Sequence, residues 1–300
     1  MDPATVRIVL LRTMSADNDE RRLGESQLQE MAAMGGFAPV LAALAVTSAE
    51  EGGAAELHVR QSAGIFLKKL VKECWTCDEP GGLVIGEADK AAVRATIPAG
   101  LGDASAKIRT ATGLVVSAVG NHDFPEEWPT LFEDIVGAIQ SENLDLVHGA
   151  MQCLSFFADH LDHSVLPQVA PTLFPHLFTV FCKPGQYSPE IRCCAASVMH
   201  ACFAVLNTSN VAPDSNSAQL LQALLPNWIR GLLGESMVPG IPIGANTASA
   251  SESGQVFDGS ELSVQMEALR MISLLVSGAP KLIKPYLPSV LGVLWRILPT

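Results

Sequence analysis

The sequence predicts an all-α fold in which antiparallel helix pairs stack side by side into an α-solenoid. Three observations carry this prediction. The apolar weight, 48% of 300 residues, comes from Ala, Leu and Val with only 6% aromatic residues, a composition that favours helix over strand. Long stretches repeat their apolar residues at three- and four-residue spacing. Two short patterns also recur at intervals of roughly 40–50 residues, one on each helix of a pair.

In chain order, residues 3–14 read as a short first helix with Val6, Ile8, Val9, Leu10 and Leu11 on or near its buried side. Ser15-Ala16-Asp17-Asn18 supplies turn and cap chemistry for a charged helix over 19–34, whose apolar contacts are Leu23, Leu28 and Met31. Gly35-Gly36 ends it. A helix over 37–46 follows, then a loop over 48–56. The helix over 57–75 directs Val59, Ala63, Phe66, Leu67, Leu70 and Val71 inward. Residues 78–86 form a Pro/Gly-rich break before helices over 87–101 and 104–119.

The chain must then turn. In Asn121-His122-Asp123-Phe124-Pro125-Glu126-Glu127-Trp128-Pro129, the residue before each proline is pushed out of the helical region, so the arriving helix stops. Phe124, Pro125, Trp128 and Pro129 form a structural corner in which the two aromatic groups pin one hairpin against the next. Further helices are expected over 129–140, 144–161, 166–181, 189–206, 219–233, 261–277 and 285–298.

The first helix of a pair tends to carry apolar-Pro-x-apolar, at Pro39, Pro129, Pro175, Pro226 and Pro288, with steps of 46, 51 and 62 from Pro129 onward. The second carries a β-branched residue and Arg followed by a small residue: Val59-Arg60-x-x-Ala63, Ile108-Arg109-x-x-Thr112 and Ile191-Arg192-x-x-Ala195. Val147-His148 and Val264-Gln265 hold the same place with the Arg replaced. Two helices per unit at this period mark HEAT-type repeats, each hairpin burying its face only against its neighbours. The expected organisation is an array of HEAT repeats over 1–233, covering about five repeats and the first helix of a sixth. A Gly/Ser/Pro-rich disordered loop is expected over 234–260, with the array continuing over 261–300. An array lacking a polar terminal cap reads as part of a longer protein.

The net charge of −12 is uneven: −3 over 1–109, −9 over 110–182 and zero over 183–300. Residues 110–182 contain no Lys or Arg, which argues against direct nucleic-acid binding. The stretch is either a surface for a basic protein partner or a solubilising face. Seven cysteines, an odd number lying mostly within apolar helical runs, fit reduced intracellular thiols rather than a disulfide framework. The uncharged run over 164–182 is interrupted by Pro167, Pro171 and Pro175, so no membrane insertion is expected.

The period does not say which solenoid this is, but three sequence stretches do. They are Leu10-Leu11-x-x-x-Ser15-x-Asp17 followed by Arg22-x-x-Glu25-x-x-Leu28, then Val59-Arg60-x-x-Ala63-Gly64-x-x-Leu67-Lys68-Lys69-x-Val71-x-x-x-Trp75, and Asp123-Phe124-Pro125-x-x-Trp128-Pro129. In this order and at these distances they resemble the N-terminal part of the importin-β (karyopherin-β) nuclear transport receptors. The resemblance is clear over about 4–206 and weaker beyond. It implies a monomeric carrier that shuttles between cytoplasm and nucleus through weak contacts with Phe-Gly nucleoporins, and that releases cargo when Ran-GTP binds. Basic proteins such as histones or ribosomal proteins are the implied cargo. The implied Ran-binding candidates are Arg60, Gln61, Lys68, Lys69 and Lys72. Lys68 matches the family motif directly, whereas Lys69 stands where relatives often have Asn. A solvated basic face is the competing reading of the lysines, and a structural role in adjacent turns is the competing reading of Arg60 and Arg109.

No catalytic, cofactor or metal constellation emerges, and no enzyme activity is expected. Cys74-Trp75-Thr76-Cys77 has no second CxxC and reads as a helix end with an anchoring Trp. His160-Leu161-Asp162-His163 reads as a polar helix terminus, Cys193-Cys194 as core filler, and Asn207-Thr208-Ser209 as a sequon by spelling alone. A HEAT scaffold without a GTPase switch is the alternative function, and a helical enzyme a more distant third.

Overall fold

The structure, a computed structural model, describes residues 1–47, 53–76, 82–158, 165–208, 216–233 and 259–297. All regular structure among the described residues is helical. The chain divides into two compact units, Met1–Phe157 and Ala158–Thr300, with the division falling between helix pairs rather than within one.

The first unit holds four pairs. Helix α1 (Pro3–Thr13) pairs with α2 (Asn18–Ala32), and α3 (Phe37–Val46) with α4 (Gly53–Cys74). Helix α5 (Glu87–Thr96) and the 3₁₀ helix Ile97–Gly102 pair with α6 (Ala106–Asp123), and α7 (Leu131–Ile139) pairs with α8 (Leu144–Phe157). Helices α1, α3 and α5 with its 3₁₀ extension pack in one layer, and α4, α6 and α8 side by side in the other. The local chemistry explains the boundaries. Asp2 accepts from the Ala4 and Thr5 amides at the start of α1, and Asp17 accepts from the Asp19 amide at the start of α2. Gly36, at φ +81, makes the left-handed entry to α3 that a side chain would strain. Pro98 lies where the expected helix over 87–101 tightens into the 3₁₀ turn.

The recurring Arg has one structural job throughout. The Arg60 Nε–H donates to the Ala45 carbonyl at the end of α3, and the Arg109 Nη1–H donates to the Asp103 and Ala104 carbonyls after the 3₁₀ helix. In the second unit, the Arg192 Nε–H donates to the Phe181 carbonyl. Each guanidinium thus bonds carbonyls at or just after the end of the first helix of its own pair. Two of them also reach forward to the next pair, Arg60 to Asp103 and Arg109 to Asp145, the latter at 2.7 Å. The apolar-Pro pattern has no such common position. Pro39 and Pro288 lie in first turns, Pro129 precedes α7, and Pro175 and Pro226 sit inside helices.

The second unit comprises α9 (Leu166–Phe181), α10 (Pro189–Thr208), α11 (Asn216–Leu233), α12 (Gly259–Gly278), α13 (Pro280–Ile283), a 3₁₀ turn Lys284–Tyr286 and α14 (Leu287–Ile297). Helix α10 packs along α9 and α12, and Trp228 lies among Phe178, Phe181 and Phe203 with ring centroids 5.3–6.2 Å away. Residues 189–206 are long and apolar enough to cross a membrane by composition, with mean hydropathy 1.2, yet half of that stretch is buried in this unit.

Several expectations change. Ile8, Leu11 and Leu23 are exposed, because α1 buries Val6, Val9 and Leu10 and α2 meets α1 through Gly24 rather than Leu23. Helix α6 runs on to Asp123, and α7 begins only at Leu131. Residues 234–258 of the expected insertion, Cys77, the run 160–163, Ser209 and residues 298–300 lie outside the described residues.

Candidate functional site

Helix α4 has two distinct faces. Val59, Ala63, Leu67, Leu70 and Val71 are buried, whereas Gln61, Ile65, Lys68 and Lys72 recur at spacings of four, three and four on the opposite side. With ~100° per residue, those four and Lys69 fall within about 100° of arc, so one surface displays them together. Gln61 and Lys68 are half-buried, and Lys69 and Lys72 are exposed. Lys69 Nζ lies 5.9 Å from the Phe66 ring centroid. Ile65, 55% exposed, is an apolar group in the middle of this basic stripe. The apolar pattern of the sequence leaves Ile65 outside the core, and its spacing from Gln61 and Lys68 puts it on the lysine face.

Arg60 does not belong to that surface. Only 7% exposed, it is bonded to Ala45 and Asp103 within the stack, so the implied role of Arg60 as a Ran contact gives way to the structural one. Arg109 is likewise buried, with Nη2 3.2 Å from His148 Nδ1 in addition to its bond to Asp145.

The corner after α6 is organised by a residue that sequence reasoning passed over. Asp123 is 5% exposed; its Oδ1 accepts from the Trp75 indole N–H at 2.7 Å, and its Oδ2 accepts from Arg94 Nη1 at 2.5 Å. Its carbonyl accepts from the Glu127 and Trp128 amides. One carboxylate therefore ties the end of α4, helix α5 and the turn after α6 together, with Lys90 Nζ 5.7 Å from the Trp75 ring. The motif signal was there, since Asp123 opens the Asp-Phe-Pro-x-x-Trp-Pro stretch. Phe124 then meets Phe132 edge-on at 4.8 Å, and Phe132 meets Phe157 at 5.6 Å, which docks the corner on α7 and α8. Pro125 follows Phe124 through a cis peptide bond, Trp128 is buried and Pro129 is exposed.

Beside this corner, α7 stands off from the 3₁₀ helix and leaves a concavity of about 790 Å³. Its apolar walls and floor include Leu101, Val116, Trp128, Leu131, Ile135 and Leu146. Asp134 lines it too, accepting from the Thr130 hydroxyl at 2.9 Å.

The thiols are passive. Burial pushes Cys153 well above the ordinary thiol range, Cys202 up to about 12 and Cys194 up to about 11. Among the described residues, no three His, Cys, Asp or Glu side chains converge as metal ligands would.

No family model matches the chain. The chain is 25% identical over 294 residues to importin-9 of Drosophila melanogaster, covering 96% of this chain and 26% of that protein. It is 29% identical over 154 residues to importin-8 of Mus musculus, covering 49% of this chain and 15% of the relative. Among solved structures, the exportin Cse1 in its cargo-free, cytoplasmic state matches 99% of this chain and 32% of its own, with TM-score 0.70 and 15% identity. The Kap95:Nup1 complex matches 98% and 31%, with TM-score 0.69 and 16% identity. The structural likenesses establish the HEAT-repeat karyopherin fold. The chain spans about a quarter of the length of the first of these relatives. With that fold and a match along nearly its whole length, the chain is similar to the N-terminal part of importin-β (karyopherin-β) relatives.

Proposed function

We propose that this chain is the GTPase-responsive N-terminal part of a nuclear transport receptor, and that Gln61, Lys68, Lys69 and Lys72 on α4 receive Ran-GTP. The observation that carries this reading is the exposed stripe itself. Three lysines and Ile65 share one face of a helix whose other face is fully committed to the stack, within a protein of net charge −12. A basic island on an acidic protein attracts an acidic partner surface, and an apolar group at its centre gives the contact an anchor that can be desolvated. Basic cargo such as histones or ribosomal proteins, weak contacts with Phe-Gly nucleoporins, and shuttling between cytoplasm and nucleus complete the reading. The importin names of the sequence relatives and the Nup1 partner of Kap95 support it.

Calorimetric titration with Ran carrying a non-hydrolysable GTP analogue, and with Ran-GDP, at low and high salt, tests the reading. Each exposed pair contributes only ~0–1 kcal/mol, so the triple variant K68E/K69E/K72E is expected to weaken GTP-form binding by about thirty- to a hundredfold and a single reversal by a few-fold. Equal affinity for the two nucleotide forms would point instead to a HEAT scaffold without a GTPase switch.

A further inference from the structure

The concavity between the 3₁₀ helix and α7 has an apolar interior and an acidic rim, and this combination selects a partner. We propose that it seats a short extended segment of a basic protein, with one large apolar side chain inserted against Leu131 and Ile135 and flanking Lys or Arg side chains paired with the rim. Of the acidic groups, Asp134 lines the groove, and Glu127 and Glu142 are chain neighbours of lining residues, Glu127 next to Trp128 and Glu142 between Ser141 and Asn143. Glu127 and Glu142 are exposed. No Lys or Arg lines the groove, and none occurs anywhere in 110–182, so the rim keeps its negative potential.

The volume, about 790 Å³, is that of a pocket for a few side chains rather than of a face for a folded domain, which calls for some 800 Å² per partner. An apolar anchor with charged flanks uses both features: burial supplies affinity, and complementary charge supplies steering and selectivity. A neutral segment would leave the carboxylates unused. The groove is lined from the 3₁₀ helix, α6, α7, α8 and the turns beside α7, and the lysines lie on α4, so the two surfaces share no residue. This inference rests on the basic-cargo part of the proposed function and is independent of its GTPase part.

The test is fluorescence anisotropy of the whole chain with three labelled synthetic peptides. One carries a central Leu-Phe flanked by lysines, the second has those lysines replaced by serine, and the third is a neutral Phe-Gly repeat. The lysine peptide is expected to bind at least about tenfold more tightly than either other peptide and to weaken with salt. Two variants locate it. Gly137 lines the groove and is exposed, and a Cβ built there meets nothing within 4 Å, so Gly137→Leu has room for its Cβ and adds bulk at a lining position. It is expected to reduce binding about tenfold, as is E127K/E142K. Circular dichroism and a cooperative thermal melt show that both variants remain folded, and K68E is expected to leave peptide binding intact. Lysine-peptide binding that is absent, or that neither variant alters, overturns the proposal. So does a Phe-Gly peptide that binds as tightly and without salt dependence, which would assign the groove to a neutral occupant.

Discussion

Replacing Asp123 with Ala removes two acceptors at once from a junction of three helices. The Trp75 indole N–H, on a residue with 0% exposure, is left without its partner, at a cost of about 1–3 kcal/mol. Arg94 loses its carboxylate; because its side chain is 15% exposed it reaches water, so the cost falls below the ~3–5 kcal/mol of a fully buried broken pair, to about 1–2 kcal/mol. The total expected loss is about 2–5 kcal/mol. For a unit of this size, each kcal/mol shifts the midpoint by about 2–4 °C, so a fall of about 4–20 °C is expected. Asp123→Asn keeps an acceptor for Trp75 and removes the charge facing Arg94, so it should cost about half as much. Urea denaturation followed by circular dichroism and tryptophan fluorescence, fitted with separate transitions for the two units, measures both variants. A loss below about 1 kcal/mol for Asp123→Ala, or equal losses for Ala and Asn, would refute the assignment of Asp123 as the junction.

Two glycine replacements should move in opposite directions. Gly149→Ala places a methyl 2.0 Å from the Leu101 carbonyl oxygen and forces α8 away from the 3₁₀ helix, at a cost of about 2 kcal/mol or more, whereas Gly137→Ala in open space should stabilise α7 by about 0.5–1 kcal/mol; thermal melts of the pair check both. Arg60→Met removes the Arg60 donor from the Ala45 carbonyl and from Asp103 Oδ2 and should lower the midpoint of the first unit, while Lys68→Met should leave it within about 0.5 kcal/mol. With a pKa near 11 rather than 9.0, Cys194 holds about a hundredfold less thiolate at pH 8 than an ordinary thiol, so mass-spectrometric mapping of iodoacetamide labelling should find it slow, and faster only as pH rises toward that value.

The fold was legible because the repeat writes itself in the sequence. The Arg60, Arg109 and Arg192 positions share one chemistry, closing the end of the preceding helix, so their recurrence marked a real structural period. The prolines recurred too, yet they occupy first turns, a pre-helical turn and helix interiors, because a first helix packed by its neighbours tolerates a proline at more than one place. Periodicity also failed at the chain's first pair. Ile8, Leu11 and Leu23 satisfy an apolar count but lie outside the buried arc, and only packing decides which side of an apolar helix is covered. Of the candidate site, the lysines were visible as a motif. The groove was not, because it is lined from the 3₁₀ helix, α6, α7 and α8, segments separated along the chain.

The same helix shows why a repeat motif and a binding motif can be confused when they overlap. Arg60 and Gln61 are neighbours, but a rotation of ~100° separates them, enough to send one into the stack and the other to the surface. From Arg60 inward the partners are Ala45 and Asp103, which hold the second pair to the third; from Gln61 outward the series runs through Ile65, Lys68 and Lys72 to whatever protein docks there. Conversion of Arg60 to an acid would therefore abolish binding by loosening the frame, and the loss would be mistaken for a lost contact. Conversion of Lys68 or Lys72 changes only the surface. The two causes separate in a single comparison: thermal stability is expected to fall with the first kind of variant and to stay level with the second, while under the proposed function Ran affinity is expected to fall in both.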